Sequence, residues 1–147
     1  MEALLTNKAL WVPVVAWCVA QLLKVVIESI RANRLSFSYL ITMGGMPSSH
    51  AALVCALATT IAVVYGVGSA LFAISAFFAI VVMFDAAGVR QTVSTQSTML
   101  NRIVDELFKN NPQFQQRMRE LIGHTKFEVA AGAILGIVMA FLLSWQW

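Results

Sequence analysis

Four apolar stretches divide this chain, and polar or turn-forming residues separate them. The first covers about 9–30. It is uncharged as far as Leu23, and then Lys24, Glu28 and Arg31 follow at helical spacing. Pro13 stands near its start, where a helix tolerates proline best. A connection follows, closed by Gly44-Gly45-Met46-Pro47, which is strong turn punctuation. The second stretch covers about 49–65 and the third about 69–87, with Gly66-Val67-Gly68 as the reversal between them. The fourth covers about 127–145. The pattern therefore predicts an all-α chain: one membrane domain with about four crossing helices, each near the roughly 20 residues that a bilayer requires.

Residues 91–123 break this pattern. Met99, Leu100, Ile103, Val104, Leu107 and Phe108 recur at three and four, which predicts an amphipathic helix. Asn110-Asn111-Pro112 ends it, and Pro112 suits the first turn of a second helix. Phe114, Met118, Leu121 and Ile122 are the apolar side of that helix, and Gly123 closes it. Two placements fit this hairpin: on the membrane surface, or as an ordinary helix pair packed on the membrane domain.

Composition settles the solvent. The chain is 59% hydrophobic and 12% charged, against about 25% charged in soluble domains. No Asp, Glu, Lys or Arg occurs between Leu35 and Phe84. This is the composition of an integral membrane protein. No convincing cleavage site follows the first apolar run, so that run is expected to stay. Cys18 and Cys55 fall within apolar stretches and read as small hydrophobes.

Four crossings put the end of segments one and three and the start of segments two and four on the same side. Lys24, Arg31, His50, Asp85, Arg90, His124 and Glu128 all lie at those ends. Trp11, Trp145 and Trp147 fall on the other side, as an interfacial belt would. Among the ten Lys and Arg residues, Lys8 alone lies with the tryptophans. The positive-inside rule then puts the polar face in the cytoplasm.

The gathered groups suit a tetrahedral anion. Lys24 and Arg31 share one helix face, Arg90 comes from another helix, and guanidinium groups grip phosphate oxygens in pairs. The hydroxyls of Ser48 and Ser49 and the first N–H groups of segment two extend the cradle. Two histidines allow nucleophile and acid roles to be divided. Neither a Cys/His cluster nor a carboxylate cage is present, so no metal is expected.

These residues resemble the type 2 phosphatidic acid phosphatase superfamily, which includes the vanadium haloperoxidases, and most closely its divergent bacterial and plant branch. Lys24 and Arg31 match a lysine and arginine separated by six residues, with Ala32 where that motif has proline. Pro47-Ser48-Ser49-His50 stands where the superfamily has Pro-Ser-Gly-His. The third motif is Ser-Arg, then histidine, then aspartate. Here Val89 precedes Arg90, residues 91–123 intervene before His124, and Glu128 replaces the aspartate. The runs Gly45-Met46-Pro47-Ser48-Ser49-His50, Asp85-Ala86-Ala87-Gly88-Val89-Arg90 and Gly123-His124-Thr125-Lys126-Phe127-Glu128 look like signatures of the divergent branch.

The resemblance implies hydrolysis of a lipid or prenyl phosphate at a bacterial plasma membrane. His124 would attack phosphorus, Glu128 would orient its imidazole, and His50 would protonate the leaving alcohol. Lys24, Arg31, Ser48, Ser49 and Arg90 would hold the phosphoryl oxygens. Asp85 and Glu28 would support them. No cofactor is implied, although vanadate or phosphate fits such a site. The expected partners are a phosphorylated lipid substrate and membrane lipids; the bulk missing from a four-helix member comes either from the helical insert or from a second copy in a homodimer. Nucleic acid is not expected, because no aromatic residues interleave with Arg102, Lys109, Arg117 and Arg119.

Plainer readings stand beside these. His124 with Glu128 also reads as an interfacial pair capping a membrane helix. Lys24, Glu28 and Arg31 read as an intrahelical ion-pair ladder with snorkelling tips. Asp85 pairs with Arg90 or meets the insert. A non-catalytic phosphate- or headgroup-binding protein would show the same motifs, and a vanadate-dependent oxidase is a more distant alternative.

Overall fold

The computed structural model describes residues 6–33, 45–107 and 125–144, with only the backbone described at 89–95, 101 and 104–107. These residues form four helices: α1 Lys8–Arg31, α2 Ser49–Tyr65, α3 Ala70–Leu107 and α4 Lys126–Ser144. No strand occurs among the described residues. α1, the Ala70–Gly88 part of α3, and α4 are long and apolar enough to cross a bilayer. α2 has 17 residues and is the shorter apolar helix.

The starts of α2, α3 and α4 each have a local cause. Ser48 caps α2, its hydroxyl accepting from the Ala51 N–H at 3.4 Å. Ser69 does the same for α3, accepting from the Phe72 N–H at 3.2 Å and donating to the Gly66 carbonyl at 2.8 Å. Thr125 and Glu128 form a reciprocal capping box on α4. The Glu128 carboxylate accepts from the Thr125 N–H at 3.0 Å, and the Thr125 hydroxyl accepts from the Glu128 N–H at 3.3 Å. α1 begins one residue before the expected start. Pro13 is therefore buried in its second turn and removes one backbone bond.

α2 is the hub and packs against each of the other three helices. Its seam with α4 is built from small residues. A Cβ on Gly132 would collide with the Ser48 carbonyl oxygen, and one on Gly136 with that of Ala52. Ala140 and Ala56 join the same buried cluster one turn on, with Val12 and Ala16 of α1. Backbones that approach this closely gain dispersion contacts that bulky residues would forbid, the main cohesive force where lipid is as apolar as the protein. On the other side of α2, Val54 and Cys55 pack on Ala79 of α3, with Met83 beside them.

α3 departs from the sequence expectation. Its apolar part ends at Gly88, close to the expected Ala87, but the helix itself does not stop there and continues to Leu107, 38 residues in all. At 1.5 Å per residue that is roughly 57 Å, about twice a hydrocarbon core. Gly88 costs only about 1 kcal/mol in a helix interior, and the next strong breaker is the Asn110-Asn111-Pro112 run. The first half of the polar stretch is thus an extension of the span. Its expected second helix lies outside the described residues. Phe77, Phe78, Val81 and Phe84 of α3 are exposed, as a lipid-facing surface requires.

Candidate functional site

The packing fixes which helix ends meet. Gly132 sits at Ser48, so α4 and α2 start together and run parallel. Gly45, just before α2, lies against Lys24 and Glu28 near the end of α1, so α1 runs antiparallel to them. Cys55 Sγ lies 3.5 Å from Met83 Sδ, so the Asp85–Arg90 stretch of α3 also comes to this end. One end of the bundle therefore gathers the end of α1, the starts of α2 and α4, and the middle of α3.

Lys24 is 2% exposed. Its alkyl stem runs beneath Gly45, where an added Cβ would come within 3.1 Å of Lys24 Cδ and 3.3 Å of Glu28 Cγ. Gly45 has φ +98°, a conformation open to glycine, so the turn closes over both stems at a residue without a side chain. The Met46–Pro47 peptide that follows is cis. Glu28 is half-buried and pairs with the exposed Arg31, Nη1 to Oε1 at 3.2 Å. The expected ladder on α1 thus exists between Glu28 and Arg31, while Lys24 turns inward.

Ser48 is the joint of the site and is 0% exposed. Its N–H donates to the Glu128 carbonyl at 3.0 Å, tying the start of α2 to the start of α4. Its carbonyl accepts from Ala52 N–H at 3.1 Å and faces Gly132. Its hydroxyl has given one acceptor position to the cap and keeps its proton. Ser49 is buried beside it and His50 is exposed. Two helix N-termini thus point at this end, each equivalent to about half a positive charge. With Lys24 and Arg31 they make the end favourable for an anion.

The other expected residues are placed less fully. Asp85 is exposed on α3. Arg90 belongs to α3 by its backbone, and His124 lies outside the described residues. Glu128 bonds the amide of Thr125, so it fixes the backbone directly after His124. Gly45, Gly132, Gly136 and Thr125 were not among the expected site residues, yet they hold it together. Two of their signals were on the sequence: the Thr125-x-x-Glu128 capping pattern and the Gly132-x-x-x-Gly136 spacing.

An all-helical membrane protein with anion-favouring helix ends gathered on one side is the class that this fold and site define. The chain belongs to the divergent PAP2 family, whose model matches residues 5–139. It is similar to YuiD of Bacillus subtilis (strain 168), an uncharacterized membrane protein. The two are 39% identical over 153 aligned positions that cover 97% of each chain. No solved structure matches significantly.

Proposed function

We propose that this protein hydrolyses a lipid or prenyl phosphate at the membrane surface through a phosphohistidine on His124. The observation that supports this most directly is the union of two helix N-termini beside a buried lysine, made by the Ser48 N–H to Glu128 carbonyl bond. Such an end attracts a phosphate and stabilises the charge that develops during its transfer. Lys24, Ser48 and Glu128, which stand in the motif runs, lie at this end, and membership of the divergent PAP2 family supports the reading further. Lys24, Arg31 and Arg90 are the cations of the cradle, His50 the acid that protonates the leaving alcohol, and Ser48 and Ser49 its hydroxyls. His124 forms a bond to phosphorus as the alcohol leaves with a proton from His50. Water, deprotonated by His50, then breaks the phosphohistidine and releases phosphate. The positive-inside argument puts this face in the cytoplasm.

A second reading has its own observation. The Glu128 carboxylate is engaged in a helix cap, which suits a headgroup-binding protein that performs no chemistry. The deciding experiment is phosphate release from a panel of phosphatidate, phosphatidylglycerophosphate and prenyl phosphates in detergent. Release by the wild type that disappears in His124→Ala is the expected result. Equal release by the variant would sink the nucleophile, and binding without any turnover would favour the second reading.

A further inference from the structure

The opposite end of the bundle carries a cavity of about 610 Å³. It is lined by Thr6, Asn7 and Lys8 at the start of α1, by Val64 and Tyr65 at the end of α2, and by Ser144 at the end of α4. Its position follows from helix length. α2 spans roughly 25 Å, short of a hydrocarbon core of about 30 Å, so the space above its last turn runs from the edge of that core toward the headgroups.

Ser144 points to a ligand. It is 5% exposed, lines this cavity, and its hydroxyl has no hydrogen-bond partner among the described residues. A helical serine ordinarily bonds back to its own backbone or meets water. The α2–α4 seam explains how the hydroxyl arrived there. Gly132 lies at Ser48, Gly136 at Ala52 and Ala140 at Ala56. The next step of that register is Ser144 and Thr60, whose hydroxyl is also buried and has no partner among the described residues. At its last step a dry seam of small residues turns polar and opens on a cavity.

The cavity has two electrostatic poles. One is the first turn of α1, with Lys8, no acidic residue, and an Asn7 side chain that makes no capping bond. This pole favours an anion. The other is the last turn of α2, whose closing carbonyls lie beyond intrahelical donors and favour a cation or donor. Gly66 N–H satisfies only the Ala62 carbonyl.

We propose that this cavity binds the headgroup of a zwitterionic phospholipid bearing a primary amine. Its phosphate sits at Lys8 and the first turn of α1. Its ammonium donates to the carbonyl end of α2. The Ser144 hydroxyl donates to a headgroup oxygen. The site is separate from the phosphoryl end and stands whether or not that end is catalytic.

The test is a binding titration of the purified full chain in detergent. The probes are dihexanoyl phosphatidylethanolamine, dihexanoyl phosphatidylglycerol and inorganic phosphate. The amine lipid is expected to bind saturably and about fivefold more tightly than the glycerol lipid. Ser144→Ala is expected to weaken it about fivefold and Lys8→Gln about tenfold. Lys8→Gln lies at a helix start and tests the site even if Ser144→Ala disturbs the seam. Equal binding of the two lipids, competition by phosphate alone as strong as by lipid, no saturable binding, or no effect of either variant would overturn the proposal.

Discussion

Glu128 is the residue on which two readings of the site divide. Its carboxylate holds the Thr125 N–H, a task an uncharged amide performs nearly as well. Orienting and stabilising an imidazolium requires the charge. Glu128→Gln therefore separates the roles, because it keeps the cap and removes the charge. If the carboxylate serves His124, turnover falls roughly 10³- to 10⁴-fold while the melting temperature in detergent holds. If it is only a cap, Glu128→Gln matches the wild type and Glu128→Ala loses about 1 kcal/mol of stability. Lys24 and Arg31 divide in a similar way. They share a helix face by spacing, but one is buried under Gly45 and the other is exposed and paired. Spacing assigned both to one anion, and burial gives them different surroundings.

At the level of helices, close contact rather than polarity decides what a glycine does. Gly132→Ala places a methyl group on the Ser48 carbonyl, and α4 must move away. A loss of about 1–3 kcal/mol is expected, read as a lower melting temperature in detergent. Gly88→Ala meets open space in mid-α3 and is expected to stabilise by up to about 1 kcal/mol. Equal melting of the two variants would show that the seam does not hold the bundle. This contrast also marks how far the sequence could be read. The apolar runs disclosed the crossing helices, because lipid leaves few alternatives for a long uncharged segment. The convergence of polar ends followed from counting those helices. The extension of α3 was hidden, because Asp85, Gly88 and Arg90 look like a boundary, and nothing in a sequence says that a helix leaves the membrane without stopping. The seam was hidden for another reason. Gly132 and Gly136 lie in an apolar run, and only the partner helix reveals what their missing side chains admit. His50, Ser48 and Lys24 were legible as candidates through their motifs, whereas the burial of Ser48 and Lys24 depends on turns and partners far away in sequence.

For the whole molecule, sidedness is the open physical question with a direct measurement. Lys8 lies at the cavity end of the bundle, and Gln113 belongs to the polar stretch beyond α3. A membrane-impermeant thiol reagent applied to Lys8→Cys and Gln113→Cys is expected to reach them from opposite sides. Labelling of both from one side would sink the arrangement of four crossings. The seam of α2 and α4 has a further consequence, and it concerns time. α2 is the hub, yet the face it offers to Gly132 and Gly136 has no partner until α4 is made. At about 5–20 residues per second, the ribosome needs on the order of ten seconds to get from one to the other. During that interval the middle helix sits in the bilayer with its close-packing face open to lipid. The centre of this molecule is thus the part completed last, and a nascent chain stalled after α3 would present quality control with an inner surface rather than an outer one.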